Sequence, residues 1–169
     1  AWVALPKELE DIEPDFSHYS SDTIPNIDLE NVKVRVVAGS FLGSTSPVKV
    51  HSELVYVDIE MKDNSNFSFN TNENELGLYI VSGKIKFEDN EYSGNVMLVF
   101  KNGSEINIEA IGDVRAVIVG GKAFPEPRYL YWNFVSTSKE KLEEAKDRWR
   151  KQNFPKIEGE TEFVTMPEY

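Results

Sequence analysis

The stretch Leu78-Tyr79-Ile80-Val81-Ser82-Gly83-Lys84-Ile85-Lys86-Phe87 shows the pattern that runs through most of the chain. An apolar run over 78–81 ends at Ser82-Gly83, and Ile85 and Phe87 then alternate with lysines. Short alternating runs separated by glycine are typical of β-strands, because glycine adopts the positive φ that tight turns need. We therefore predict two strands joined by a turn at Ser82-Gly83.

The same pattern recurs on both sides of this stretch. Further apolar or alternating runs lie at 32–37, 54–61, 96–100, 106–111 and 114–119. Short strands at regular spacing, with Gly, Asn and Asp between them, favour an antiparallel sandwich or barrel. Residues before Val32 are polar and irregular, which predicts an extended arm rather than a strand or helix.

One helix is predicted, over residues 138–151. Thr137 and Glu140 fit a capping box that would satisfy the first backbone amides of this helix. An apolar stripe recurs at helical spacing, formed by Leu142, Ala145 and Trp149. The predicted organisation is an extended wrapping arm (1–31), a barrel (32–136) and a C-terminal helix with a tail (137–169).

Composition excludes several classes of protein. The chain has 169 residues, 40% of them hydrophobic, which is enough for one ordinary core. It has no cysteine, so disulfide frameworks, thiolate catalysis and cysteine-ligated metals are excluded. A net charge of −11 disfavours nucleic acids and anionic membranes as partners. Neither a signal peptide nor an apolar run of about 18 residues is present, so we expect a cytoplasmic protein.

Several segments resemble, in the same order, the C-terminal half of pirin-family proteins. They are Trp2-Val3-Ala4-Leu5-Pro6, Tyr79-Ile80-Val81-Ser82-Gly83, Gly120-Gly121-Lys122-Ala123-Phe124-Pro125-Glu126-Pro127 and Trp132-Asn133-Phe134-Val135-Ser136. The resemblance implies an all-β cupin, a jelly-roll antiparallel β-barrel (double-stranded β-helix) with a C-terminal α-helix. Pirins are bicupins, and this chain resembles only their second barrel. Proteolysis, a cloned fragment or a separate gene would each account for that.

The resemblance also implies where a metal would bind. In the family, iron or another divalent metal lies in the N-terminal barrel. Alignment of the cupin motifs on Gly83 and Gly103 locates the four ligand positions of the present barrel at Asn70, Asn72, Leu76 and Ile106. A shift of one residue brings in Glu73 or Glu75, but no histidine. We therefore expect this chain to hold no metal, no cofactor and no catalytic residue.

Other candidate residues have both a functional and a structural interpretation. Asp58 and Glu60 share one strand face, where they could act as a general acid and base or simply face solvent. His18 and His51 are predicted at the surface rather than as ligands. A pocket at the barrel mouth would be lined by Tyr56, Tyr79, Phe87 and Met97, unless these side chains belong to the core.

Three functions remain open at this point. The first is the structural and interaction half of a bicupin, and the second is the metal-dependent quercetin 2,3-dioxygenase activity with which the family is associated. The third is small-molecule binding in the barrel. Because a lone half of a bicupin exposes an apolar face, we expect a homodimer or a complex with an N-terminal pirin cupin domain.

Overall fold

The structure is a computed structural model that describes residues 2–72 and 74–167. These residues form two compact units, which we call the barrel unit and the terminal unit. The barrel unit is Pro14–Ala123, and the terminal unit combines the residues up to Glu13 with those from Phe124 onward. The strands of the barrel unit are β1 (Asn26–Leu29), β2 (Val32–Phe41), β3 (Ser44–Thr45), β4 (Leu54–Met61), β5 (Asn66–Asn70), β6 (Glu75–Phe87), β7 (Asn90–Ser93), β8 (Met97–Phe100) and β9 (Glu105–Gly121).

The two longest strands bend where the sequence predicts turns. β6 runs through Ser82-Gly83, and its pairing with β9 shifts register there, so the predicted turn is wrong. β9 likewise continues through Gly112, which has a φ of +74°. Gly83 has a φ of +84°, and a Cβ at this position would collide with the carbonyl oxygen of Asp113 on β9. Glycine here allows a strand to turn a corner against its neighbour rather than end.

Because β6 and β9 bend, each contributes one half to each of two layers. Their halves nearest the Gly120-Gly121 end join the larger sheet, in the order β1-β2-β4-β9-β6-β8. The remaining halves join the smaller sheet, in the order β5-β9-β6-β7. All of these pairs are antiparallel. This arrangement is the jelly-roll architecture of the predicted fold class.

The core lies between the two sheets. Most of β2 and all of β4 alternate buried residues with half-buried or exposed ones, as expected for strands with one face against a core. Val57 and Ile59 from the larger sheet are fully buried, as are Ile85 and Ile108 from the smaller sheet. The alternation therefore fixes which face of each strand points inward, and every outward residue lies on a defined surface.

The terminal unit contains a 3-10 helix (Lys7–Leu9), strands β10 (Tyr129–Tyr131) and β11 (Phe134–Ser136), and helix α1 (Lys139–Arg150). The predicted cap residue is wrong by one position. Ser138 caps α1, since its Oγ accepts a hydrogen bond from the backbone N of Lys141 at 3.2 Å. Thr137 instead donates its hydroxyl to the Glu10 carboxylate at 3.2 Å.

The tail after α1 lies back on the helix. Trp149 stacks on Phe163 with ring centroids 5.3 Å apart, and its Nε1 donates to the carbonyl oxygen of Val164 at 2.9 Å. Trp132 and Phe154 contact the same indole edge-on at 5.2 and 5.6 Å. The terminal unit thus has an aromatic core of its own.

The predicted boundaries at 31/32 and 136/137 stay predictions. Strand β1 lies within the predicted arm and pairs with β2, so part of that segment is a regular strand. Within the ranges 2–72 and 74–167, no helix has the length and apolar character needed to span a membrane. The cytoplasmic location also stays a prediction.

Candidate functional site

Phenylalanine rings fill the space between the two sheets. Phe41, Phe67 and Phe69 contact one another with centroid distances of 5.6–6.4 Å. Phe100 joins Phe69 at 5.8 Å and Phe87 at 5.5 Å, both edge to face. Such distances are typical of close aromatic packing. We call these five side chains the phenylalanine cluster, and they occupy the interior where a barrel would otherwise hold a ligand.

The predicted ligand positions do not provide a metal-binding donor set. Leu76 and Ile106 are buried in the hydrophobic core and have no donor atom on their side chains. Asn70 uses its amide oxygen locally, accepting from the backbone N of Asn72 at 2.8 Å. Divalent transition metals prefer imidazole, thiolate or carboxylate ligands. The residues at these four positions therefore do not fit a divalent iron, the metal that the family resemblance implies for the N-terminal barrel.

A shift of the motif by one residue would bring in Glu73 or Glu75, and within the described residues this does not complete a metal-binding donor set. Glu73 lies outside the described residues, and Glu75 is exposed at the start of β6. Across residues 2–72 and 74–167, no three His, Asp or Glu side chains are grouped as a metal site would need. His18 and His51 are both exposed, as the sequence predicts.

A buried threonine, Thr71, lies between the predicted ligand positions Asn70 and Asn72. The Thr71 hydroxyl donates to the carbonyl oxygen of Lys101 at 2.9 Å and accepts from the backbone N of Ser104 at 2.9 Å. Its side chain is fully buried. The chain just after β5 is thus tied to the β8–β9 turn by these two hydrogen bonds. Thr71 could not be recognised from the sequence, because its partners lie about thirty residues away in the chain.

We expect Thr71→Val to lower the free energy of unfolding by about 1–3 kcal/mol, the usual cost of burying unsatisfied polar groups. Valine keeps the shape of threonine but leaves the Ser104 amide and the Lys101 carbonyl without the hydroxyl. Urea unfolding followed by far-UV circular dichroism would measure the change. Thr71→Ser keeps the hydroxyl and is the control, so equal losses in the two variants would contradict this role.

The side of the larger sheet that points away from the core, which we call the outer face, has an apolar half. Two neighbouring rows of residues run across the strands on this face. The first row is Tyr56, Val119, Gly77 and Val99. The second row starts at Asp58 and continues with three apolar or aromatic residues, Val117, Tyr79 and Met97. Val99 is 77% exposed and Met97 is 46% exposed. We call the seven residues other than Asp58 the apolar patch. Tyr56, Tyr79, Val117 and Val119 are half-buried, and Gly77 is buried. Apolar side chains that are grouped at a surface mark an interaction site more often than scattered single residues do.

The structure brings together three of the four predicted pocket residues. Tyr56, Tyr79 and Met97 belong to the apolar patch, and the Tyr79 hydroxyl donates to the side-chain oxygen of Asn95 at 3.0 Å. Phe87 lies elsewhere, because it follows Ile85 on the inward face of the smaller sheet and packs against the core. The three outward residues form part of a surface rather than the wall of a barrel mouth.

The other half of the outer face is charged. Arg115 donates two hydrogen bonds to the Asp58 carboxylate, from Nε at 3.1 Å and from Nη2 at 3.2 Å. The Asp58 carboxylate raises the pKa of Arg115, mainly through these hydrogen bonds. Glu60 lies between Lys33 and Arg115 in the cross-strand register. Asp58 therefore forms an ion pair with Arg115. This contact favours the interpretation that Asp58 and Glu60 belong to a solvent-facing surface over the interpretation that they act as a general acid and base.

An open groove of about 670 Å³ continues from this charged half toward β1. Lys62 at its edge donates to the Asp113 carboxylate at 2.7 Å. This hydrogen bond lowers the pKa of Asp113 and raises that of Lys62. Both groups are therefore held in their charged forms, which makes Asp113 a poor proton donor.

The terminal unit holds a buried ionic pair that sequence analysis also missed. Glu10 is 8% exposed and Arg128 is 12% exposed, with 3.7 Å between Oε1 and Nε. The Glu10 carboxylate also accepts from the Ser136 hydroxyl at 2.9 Å and from the Thr137 backbone N at 2.8 Å. These hydrogen bonds of the Glu10 carboxylate therefore join the N-terminal segment to the segment before α1.

Arg128 makes the matching set of contacts from the other side. Its guanidinium donates to the carbonyl oxygens of Leu5 and Glu126, both at 3.0 Å. It also lies over the Phe124 ring, 4.3 Å from the centroid. We call Glu10, Arg128 and these partners the Glu10–Arg128 cluster. Its polar atoms are hydrogen-bonded within the protein, which indicates a structural role.

The two-layered antiparallel jelly roll with its core between the sheets defines the chain as a cupin. The profile of the pirin C-terminal cupin domain matches residues 56–155. The chain therefore belongs to the pirin C-terminal cupin domain family.

Individual relatives agree with this assignment. A pirin-like protein of Caulobacter vibrioides is 33% identical over 99% of this chain and 59% of its own length. A pirin-like protein of Solanum lycopersicum is 26% identical over 85% of this chain and 52% of its own length. The crystal structure of a protein named quercetin 2,3-dioxygenase from Acinetobacter baumannii aligns with a TM-score of 0.88 and 30% identity, over 99% of this chain and 57% of that one. The chain thus spans less than two thirds of the length of these relatives.

Proposed function

We propose that this cupin is the structural and interaction half of a two-barrel protein and has no metal site of its own. The observation that carries the proposal is the phenylalanine cluster, which fills the barrel interior. Leu76 and Ile106 occupy two of the four ligand positions, and their buried hydrocarbon side chains have no donor atom. Iron or another divalent metal would then reside in an N-terminal barrel, as the family resemblance implies.

Metal analysis of the purified chain tests the first part of this proposal. We expect substoichiometric iron, nickel, manganese and zinc by plasma mass spectrometry, both as isolated and after incubation with Fe(II) and desalting. The physical reason is that, among residues 2–72 and 74–167, no group of imidazole and carboxylate donors is placed to hold a metal ion. A full-length pirin-like relative treated in parallel is the control for metal loss during handling. One tightly held metal ion per chain would overturn the proposal.

The second part of the proposal concerns the partner. The apolar patch would dock against another cupin barrel, supplied by an N-terminal pirin domain or by a second copy of this chain. The exposure of Val99 and Met97 supports such a contact, and so does the extra length of the relatives. The neighbouring charges of Asp58, Glu60 and Arg115 would form the polar rim that protein interfaces usually have.

Binding to the N-terminal segment of a full-length pirin-like relative would test this surface. Val117 belongs to the apolar patch and lies where it meets the charged half, between Asp58 and Tyr79 in the cross-strand register. Val117→Lys should abolish binding in isothermal titration calorimetry, because it buries a charge. Leu130→Lys, an exposed apolar residue in the terminal unit, is the matched control. Equal binding by both variants would rule out the apolar patch as the docking surface.

A second candidate function is the dioxygenase activity itself. It is favoured by the name quercetin 2,3-dioxygenase carried by the Acinetobacter relative. A bound metal would supply the dioxygen chemistry of such an enzyme. Oxygen uptake with quercetin and added Fe(II) distinguishes the two functions, and we expect none from this chain alone. Turnover above the rate of free Fe(II) would favour the dioxygenase over the interaction role.

A further inference from the structure

Strand β8 is an unprotected edge of the larger sheet. Over the described residues it pairs with β6 alone, so its other side has no neighbouring strand. Exposed edges offer free backbone groups to another chain, and proteins usually protect them with charged residues, proline or a bulge. The other edge strands of the barrel unit carry polar residues, as in Asn26–Leu29, Asn66–Asn70 and Asn90–Ser93. β8 reads Met-Leu-Val-Phe and carries none.

The register shows which β8 residues have outward backbone groups. Ile80 donates its backbone N–H to the carbonyl oxygen of Val96 at 3.0 Å, so Val96 faces β6. Hydrogen-bonded positions alternate along an antiparallel strand. Leu98, two residues on and opposite Leu78, therefore also faces β6, while Met97 and Val99 direct their N–H and C=O groups away from it.

The same two residues carry the exposed apolar side chains. Met97 and Val99 lie on the outer face at the border of the apolar patch. Free backbone groups and apolar side chains thus coincide at Met97 and Val99. A strand that paired here would satisfy the backbone groups and extend the apolar patch at the same time.

We propose that β8 pairs antiparallel with β8 of a second copy of this chain, around a two-fold axis at Leu98. In this register Met97 lies opposite the partner's Val99, and both residues have outward backbone groups, so they form a hydrogen-bonded pair. Leu98 lies opposite the partner's Leu98 in a non-hydrogen-bonded pair. Asn95 lies opposite the partner's Lys101, so no like charges meet. This contact uses a sheet edge, and it does not rest on the proposed docking of the apolar patch.

The sequence of β8 favours a second copy of this chain as the partner that pairs with this edge. A two-fold symmetric interface uses the same surface of both subunits. Two identical strands that pair antiparallel around one central residue form such an interface. The segment Val96–Phe100 is apolar on both sides of Leu98, so rotation about that residue brings apolar side chains opposite apolar ones. Cross-strand pairs of this type stabilise antiparallel sheets.

Proline at position 99 tests the backbone contact. The Val99 N–H faces away from β6, so proline removes no hydrogen bond within the chain and is compatible with an edge strand. Val99→Thr keeps the N–H, the branched Cβ and nearly the same shape, and it is the matched control. We expect sedimentation velocity at micromolar concentrations to give dimers for the parent chain and for Val99→Thr, and monomers for Val99→Pro. A monomeric parent chain, or a dimer unaffected by proline, would overturn the proposal.

Cysteine crosslinking tests the register without relying on proline. The chain has no cysteine, so each introduced thiol is unique. Residues in a hydrogen-bonded antiparallel pair have Cα atoms about 5.5 Å apart, within the range of about 4.4–6.8 Å that a disulfide spans. A mixture of Met97→Cys and Val99→Cys chains should therefore oxidise to dimers at least ten times faster than either variant alone. Equal rates in the mixture and in the single variants would contradict the register.

The two experiments also separate this proposal from the docking of the apolar patch. A dimer that resists Val99→Pro but dissociates with Val117→Lys would overturn the edge contact and support the patch. A dimer that dissociates with Val99→Pro and gives fast mixed crosslinking supports the edge contact.

Discussion

Replacing Phe69 with alanine should lower the free energy of unfolding of the barrel unit by about 3–5 kcal/mol, the usual cost of a buried Phe→Ala substitution. Phe69 contacts Phe41, Phe67 and Phe100 at centroid distances of 5.6–5.8 Å, so it is the best-connected ring of the phenylalanine cluster. Its removal loses both the buried apolar area and the three aromatic contacts. Urea unfolding followed by far-UV circular dichroism would measure the loss.

Phe16→Ala is the matched control for this prediction. Phe16 belongs to the same barrel unit but is 89% exposed, so the identical chemical change should alter stability little. A small apolar probe sharpens the comparison, because dry cavities lined by hydrocarbon bind benzene. We expect benzene to raise the melting temperature of Phe69→Ala and to leave that of the parent chain unchanged. A comparable rise in the parent chain would mean that the barrel interior already holds a void, contrary to the filled interior on which the proposed function rests.

The strands could be predicted from the sequence more securely than their connections. Alternation located the apolar runs now seen in β2, β4, β6, β8 and β9. It did not show that Ser82-Gly83 and Gly112 are corners within single strands, since a glycine with positive φ serves a turn and a bend equally well. The deciding contact is between Gly83 and Asp113, thirty residues apart, which no local pattern contains.

The candidate site could likewise be predicted from the sequence only in part. The family resemblance located the degenerate ligand positions, and Leu76 and Ile106 lie in the core as hydrocarbon residues should. The phenylalanine cluster could not be predicted, because its members come from four strands and meet only in the folded barrel. Thr71 and Glu10 were missed for a related reason. A polar residue in an irregular segment is normally solvated, and only distant partners show that it is buried.

Removing the Arg128 side chain should be the most damaging change in the terminal unit. Arg128→Ala leaves the buried Glu10 carboxylate without its counter-charge, and breaking a buried ion pair in this way costs about 3–5 kcal/mol. It also removes the hydrogen bond to the Leu5 carbonyl, which ties the N-terminal segment to the segment before α1. Local unfolding of the terminal unit is therefore the expected consequence.

Tryptophan fluorescence reports on this unit alone. The three tryptophans of the chain are Trp2, Trp132 and Trp149, and each belongs to the terminal unit. We expect Arg128→Ala to shift the urea midpoint of tryptophan emission to much lower concentration, while the far-UV transition of the β-rich barrel unit changes less. Arg150→Ala is the control, because Arg150 forms an exposed pair with Asp147 on α1 and exposed pairs contribute little.

A double-mutant cycle separates the ion pair from the packing of its side chains. Arg128→Met retains apolar bulk over the Phe124 ring, and Glu10→Gln retains an acceptor for the Ser136 hydroxyl. Arg128→Met leaves the Glu10 carboxylate without this partner, and Glu10→Gln leaves Arg128 with the Glu126 carboxylate, 3.7 Å from its Nη1. The double variant removes both charges of the pair. The double variant should therefore lose less stability than the two single variants combined, because neighbouring sites in one network are coupled. Additive losses would mean that Glu10 and Arg128 act through their separate hydrogen bonds, and that the 3.7 Å approach of their charges contributes nothing to the terminal unit.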